Sequence, residues 1–196
     1  FVTFFGAILK AGGTVVNFNV LNALEEVLTQ SNDSEIDFAV TVNLKLTCEK
    51  VLPLLGKTKI KKVVVCPVQT FLDPVKGTLL PLLKRKELAR LPKDKRIIGF
   101  EDVLGNAEDF VAPWIDVEDT AVLQYTGGTT GVSKGAMLSH ANLSSNSDIG
   151  LRLLTDLQGG GKERHLVIIP FFHIFGLMAS LIGMTNIGAQ LVFHFG

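Results

Sequence analysis

Cysteine is scarce: Cys48 and Cys66 are the only two in 196 residues. They form no Cys-x-x-Cys pair and no histidine pair has metal spacing, which argues against a zinc site or a disulfide framework and for two ordinary buried thiols in a reducing compartment. Net charge is missing too, with 19 Lys+Arg against 19 Asp+Glu. A general polyanion partner is therefore not expected, and nucleic acid is disfavoured. No unbroken transmembrane run is present either. Leu166 to Gly196 contains no Asp, Glu, Lys or Arg, a length that could span a bilayer, yet Pro170, His173, Thr185, Asn186 and Gln190 interrupt it. Its shift from β-branched residues to helix formers and back fits a strand–helix–strand unit buried on both sides. The opening "FVTFFGAIL" is too short and wrongly flanked for a signal peptide. Phe1 starts inside an apolar run and Gly196 follows "QLVFHF" directly, so both ends are expected to be cut.

What is present is alternation. Helices are expected over Phe1–Ala11, Leu21–Gln30 and Leu44–Leu55, with "TVVNFNV", "IDFAVTV" and "IKKVVVCPV" as the strands between and after them. Short β-rich runs separated by helices imply crossover units, hence an α/β fold with a mostly parallel sheet and helices on both faces. From 69 to 119 the rhythm fails: Pro74, Pro81, Pro92 and Pro113 break up an irregular excursion, basic from Lys76 to Arg96 and acidic from Glu101 to Asp119. A helix is expected there near Leu79–Leu91 and a short one near Phe100–Leu104. Alternation resumes with the strand "TAVLQYT", Thr120 to Thr126, then a loop, then a helix capped by Ser139 and running to about Leu157. "RHLVIIP", a helix over Ile174–Met184 and "AQLVFHF" complete the order.

The loop "TGGTTGVSKG" supports two chemistries. Polyphosphate oxygens are best held by backbone N–H groups at close range, in a turn of small residues with hydroxyl donors and one mobile cation. Thr126, Gly127, Gly128, Thr129, Thr130, Gly131 and Lys134 supply these, at the carboxyl end of a strand where ligands of such folds bind. It is not a Walker A loop, because Lys134 is followed by Gly135 rather than Ser or Thr. The rival is a nucleophile elbow on Ser133, since Gly131 to Gly135 spells G-x-S-x-G. Ser133 lies seven residues beyond Thr126, late for an elbow, and the elbow has no use for Gly127 to Thr130. The residues favour phosphate and leave the elbow and a plain structural loop open.

"YTGGTTGVSKGAMLSHANL" resembles the phosphate-loop signature of the adenylate-forming ligases, and "IIPFFHIFGL" resembles their following aromatic–histidine motif. With "AGGTVVNFNV", the set is most similar to bacterial long-chain fatty acid–CoA ligases. The resemblance implies that residues 1–196 are a partial AMP-binding N-terminal domain, with the C-terminal lid and later motifs beyond Gly196, so that the chain alone would not complete the reaction. It implies ATP-dependent activation of a fatty acid to an acyl-adenylate and then acyl-CoA, with ATP, Mg2+ and CoA. Thr126, Gly127, Gly128, Thr129, Thr130, Gly131 and Lys134 would cradle phosphates, and Thr126 would also lie near the metal. Lys134 and His173 would be the catalytic residues, with Phe172 and Phe175 beside the acyl pocket. Many members have proline where Ser133 stands. Two alternatives remain: a serine esterase using Ser133, and a non-catalytic nucleotide-binding fragment. The resemblance implies a cytoplasmic protein and leaves a homodimer open. The basic, leucine-rich segment 79–96 suits peripheral contact with the inner membrane.

Overall fold

The computed structural model describes residues 1–104, 109–126, 133–154, 157 and 160–193. In chain order the helices are α1 (Val2–Lys10), α2 (Leu24–Asp33), α3 (Lys45–Val51), α4 (Pro74–Leu83), α5 (His140–Leu153) and α6 (Met184–Asn186). The strands are β1 (Val15–Asn17), β2 (Phe38–Val42), β3 (Lys62–Cys66), β4 (Ile97–Gly99), β5 (Thr120–Thr126), β6 (Lys134–Ser139), β7 (Arg164–Val167) and β8 (Gln190–Phe193). Two compact units result, one from Phe1–Asn19 with Ala112–Gly196, the other from Val20–Val111.

In the first unit β5 is central, with β1 parallel on one side and β6 antiparallel on the other. The "AVL" of β5 supplies Ala121 and Val122 to a core completed by Phe5, Val15, Leu143, Phe171, Leu177 and Leu181. α1 presents Phe5 to that core and ends where Gly12 adopts φ +74°, a conformation that L side chains rarely take. β7 and β8 pair in parallel across one helical crossover, the strand–helix–strand unit expected of the charge-free stretch. Leu166, Ile168, Val192 and Phe193 are nevertheless exposed. The expectation of burial on both sides is corrected: only two strands pair here among the described residues, and no third covers them.

In the second unit β2, β3 and β4 are all parallel, with β3 in the middle. Val63, Val64, Val65 and Cys66 are buried there, as a continuous β-branched run in a parallel sheet should be. Burial also pushes the thiols of Cys48 and Cys66 up from their ordinary pKa, so both are inert packing residues. Cys48 Sγ donates to the carbonyl of Val42 at 3.2 Å.

The excursion 69–119 holds a strand that was not expected, β4, parallel to β3, and two further elements differ. The helix foreseen over Leu79–Leu91 runs instead from Pro74 to Leu83, because Asp73 accepts the Lys76 N–H at 3.0 Å and Pro74 occupies the first turn. Beyond it, Glu87 O accepts Lys45 N at 2.7 Å and Ala89 N donates to Asn43 O at 2.9 Å. Those long-range backbone bonds pull residues 87–89 out of the helix that their propensity would continue. The second difference is β6. The loop was expected to feed straight into a helix, yet Lys134–Ser139 returns as a strand against β5 before α5 begins at His140. Ser139 caps α5 as expected, accepting Asn142 N while Asn142 Oδ1 accepts Ser139 N.

Candidate functional site

β5 and β6 form a hairpin whose last registered pair is Thr126 and Lys134. Ser133 Oγ donates to the Thr126 carbonyl at 3.2 Å, and Thr126 Oγ1 donates to the Lys134 carbonyl at 3.5 Å, so the mouth of the loop is drawn closed. Gly127, Gly128, Thr129, Thr130 and Gly131 lie outside the described residues. At the mouth, the Thr126 and Lys134 side chains are both exposed. Lys134 forms no ion pair among the described residues, leaving its ammonium available to an incoming anion.

The hairpin bears directly on the nucleophile-elbow alternative. An elbow needs strand, sharp turn and helix, whereas Ser133 sits between two antiparallel strands with its hydroxyl spent on a backbone carbonyl. Another Ser–His contact, His165 Nε2 to Ser180 Oγ at 2.9 Å, ties β7 to the following helix. Ser180 is buried, so that pair is a packing contact.

The second motif divides by burial. Phe171 is buried, with its ring 5.7 Å from those of Phe1 and Phe193, while His173 and Phe175 are exposed and Phe172 is half-buried. Phe171 thus anchors the stretch and lets the residues after it project. His173 N donates to Pro170 O at 3.0 Å, and His173 Nδ1 accepts Phe175 N at 3.2 Å. An accepting Nδ1 puts the proton of the neutral ring on Nε2. Directly after comes a π-helix, Gly176–Gly183, a geometry concentrated at functional sites.

Two residues that sequence reasoning passed over join the motifs. Gln124, on the same strand as Thr126, donates through Nε2 to Phe172 O at 3.2 Å, and its Oε1 accepts Asn17 Nδ2 at 3.3 Å. Asn17 is buried and is the registered partner of Gln124 on β1. The loop strand is therefore stapled by one amide to the residue before His173. The available signal was polarity, an amide interrupting each of two otherwise apolar strands, "VVN" and "AVLQ". Gln124→Leu should cost about 0.5–1.5 kcal/mol of stability and shift the His173 ring resonances in NMR spectra. A variant with native resonances would show that this amide does not position the motif.

Among the described residues no group of three or more His, Cys, Asp or Glu is placed to hold a metal ion. The exposed Lys134 ammonium at the loop mouth suits phosphate oxygens. The Thr126 hydroxyl is also a hard oxygen of the kind Mg2+ accepts together with phosphate and water.

Comparison with known proteins places these features in context. The family profile described as AMP-binding enzyme matches residues 1–195. A long-chain-fatty-acid–CoA ligase of Escherichia coli O157:H7 is 37% identical over 194 residues, covering 96% of this chain and 34% of the relative. One from Bacillus subtilis (strain 168) is 32% identical, covering 97% and 34%. The chain thus spans about a third of the length of the curated relatives it matches. Among solved structures, the anthranilate CoA ligase AuaEII in complex with anthranoyl-AMP superposes with a TM-score of 0.71 at 20% identity, covering 99% of this chain and 33% of that one. ATP-bound MatB from Rhodopseudomonas palustris gives 0.67 at 21%, covering 99% and 32%. These two likenesses establish a shared fold.

Proposed function

Because the chain belongs to the AMP-binding enzyme family, we propose that it forms the phosphate-holding part of a long-chain fatty acid–CoA ligase, within the large N-terminal domain of such an enzyme. The whole of 1–196 is read as one part of that domain, with 69–119 as its irregular excursion. The observation that supports the proposal is the Gln124 staple, a hydrogen bond from the strand that ends at Thr126 to the residue before His173.

The reaction joins two displacements. A fatty acid carboxylate oxygen attacks the α-phosphorus of ATP, and the bond to pyrophosphate breaks. The CoA thiol then adds to the acyl carbon, and AMP leaves. The demand on the protein is alignment and charge stabilisation, with no nucleophilic side chain needed. Lys134 would neutralise charge building on the departing phosphates, with Thr126, Gly127, Gly128, Thr129, Thr130 and Gly131 wrapping them. His173 would meet the carboxylate edge, flanked by Phe172 and Phe175. Mg2+, held in part by Thr126, would supply additional charge neutralisation on the phosphates. Fatty acid, ATP and CoA are the proposed partners, with a homodimer as the proposed assembly. The cytoplasm is the proposed location, with peripheral contact to the inner membrane through 79–96. Among the described residues no helix is long and apolar enough to cross a membrane.

The test is fatty-acid-dependent ATP–pyrophosphate exchange by the full-length protein. Exchange is expected, whereas ATP binding without it would favour the non-catalytic alternative. Ser133→Ala should keep exchange within about threefold, since its bond to the Thr126 carbonyl adds to strands already paired through β5 and β6. Loss of exchange, together with fluorophosphonate labelling of wild-type Ser133, would restore the esterase reading.

A further inference from the structure

Residues 87–89 lie against residues 43–45 and leave a groove beside α3. Lys45 N donates to Glu87 O at 2.7 Å, Ala89 N donates to Asn43 O at 2.9 Å, and Leu44 bridges Leu88 between them. Backbone bonds therefore fix this wall before any ligand arrives. The groove is open, with a volume of about 820 Å³. Its apolar lining is Cys48, Leu52, Pro53, Leu88 and Ala89, all buried or half-buried, whereas Lys45, Glu49, Arg85, Lys86 and Arg90 are exposed around it. It has an apolar floor and a charged rim. The exposed leucines of the α4 stripe, Leu79, Leu82 and Leu83, do not line it.

The rim is cationic. Its acid, Glu49, is engaged by Lys45 at 3.7 Å, and the neighbouring Glu87 by Lys84 at 2.7 Å. Arg85, Lys86 and Arg90 form no ion pair among the described residues. These cations face solvent around aliphatic surface, which suits a partner with acidic groups on a body that also carries apolar ones. The form of the groove narrows the choice. A small-molecule pocket encloses its ligand and orients it with a few placed polar groups, but here every charged side chain of the lining is exposed and the buried Cys48 thiol is spent on Val42 O. A lipid surface is flat on this scale and would meet the rim without reaching the floor. An extended peptide needs a free strand edge, and the Leu44–Leu88 bridge is a single isolated pair. What remains is a convex body with an apolar stripe and acids beside it, which is an amphipathic helix.

We propose that the groove between α3 and residues 85–90 docks an acidic amphipathic helix of a partner protein. Apolar side chains of that helix sit on Leu52, Pro53, Leu88 and Ala89, and its carboxylates meet Arg85, Lys86 and Arg90. The preformed wall keeps the ordering cost of docking low. The proposal stands apart from the ligase reading, since neither Lys134 nor His173 lines the groove.

Fluorescence anisotropy of a labelled peptide with the full-length protein tests it. The probe is a designed helix with leucine at i, i+3, i+4 and i+7 and mostly glutamate elsewhere. It is expected to bind, and to release at about 1 M salt, where the Debye length is ~3 Å. Scattering the leucines through the same composition, or replacing glutamate by lysine, should weaken binding roughly tenfold or more. Arg85→Glu with Lys86→Glu and Arg90→Glu should weaken the acidic probe by a similar factor and bind the lysine probe instead. Amide hydrogen exchange should slow at residues 45–53 and 85–90 when the probe is bound. The triple variant should keep native circular dichroism and wild-type ATP–pyrophosphate exchange. Wild-type protein that ignores the acidic probe, a triple variant that binds it as well as wild type, or protection confined to other residues overturns the docking and leaves the ligase reading intact. Docking with no ATP–pyrophosphate exchange sinks only the ligase reading. Self-association abolished by the charge reversal would assign the groove to a second copy, and phosphatidylglycerol vesicles held through these cations in place of the probe would assign it to a membrane; either result overturns the proposal.

Discussion

Lys134→Ala should cut fatty-acid-dependent ATP–pyrophosphate exchange by about 10²–10³-fold, the usual consequence of losing one well-placed donor to a charged transition state, about 2.7–4 kcal/mol. The expectation follows from position. Lys134 is the first residue of β6 and the registered partner of Thr126, so its backbone is held opposite the end of β5. Its ammonium is exposed and forms no ion pair among the described residues, so removal should change stability by no more than about 0.5 kcal/mol. The loss should fall mainly on kcat, because the charge it meets grows as pyrophosphate departs. Lys134→Arg should recover only part of the rate, since a planar fork does not replace a compact ammonium. An Ala variant with native exchange would remove Lys134 from the mechanism.

Gly176→Ala is the second large effect, and here two physical contributions oppose each other. Alanine favours a regular helix over glycine by about 1 kcal/mol. Against that, a Cβ at 176 would stand 2.5 Å from Pro170 O and 2.7 Å from Ile169 O, both backbone atoms that move only with the chain. Overpacking of this kind costs about 1–3 kcal/mol, so the clash wins. Pro170 O is also the acceptor for His173 N. Relief of the clash must therefore shift the histidine motif. The variant should unfold at lower urea and, at temperatures where it remains folded, show a raised KM for the fatty acid. Wild-type stability in denaturant titration would mean that the π-helix relaxes without moving Pro170, and the positioning role of Gly176 would fail.

Much of the fold was legible because its signals are local. The run "KVVVC" reads as a buried parallel strand from its own β-branching, and β3 is central and buried. Ser139 with Asn142 reads as a helix start because the cap lies within three residues of chain. The strand that ends at Thr126 was legible for the same reason, as its apolar run "AVL" is contiguous. β6 was not. "KGAMLS" is made of good helix formers and glycine, and only pairing with β5 makes it a strand, an outcome that no intrinsic propensity encodes. Leu88 likewise belongs to a helix by composition and to a bridge with Leu44 by tertiary pairing.

The sequence by itself therefore determined the family and the α/β alternation, since both are written in contiguous residues whose chemistry does not depend on distant neighbours. Only the tertiary structure decided that Lys134–Ser139 returns as a strand against β5 rather than as the start of a helix, and that Gln124 ties β5 to the residue before His173. It alone showed that the leucine stripe of α4 looks outward. Each of these depends on what lies opposite a side chain: a partner strand, a carbonyl 48 residues away, or nothing but solvent.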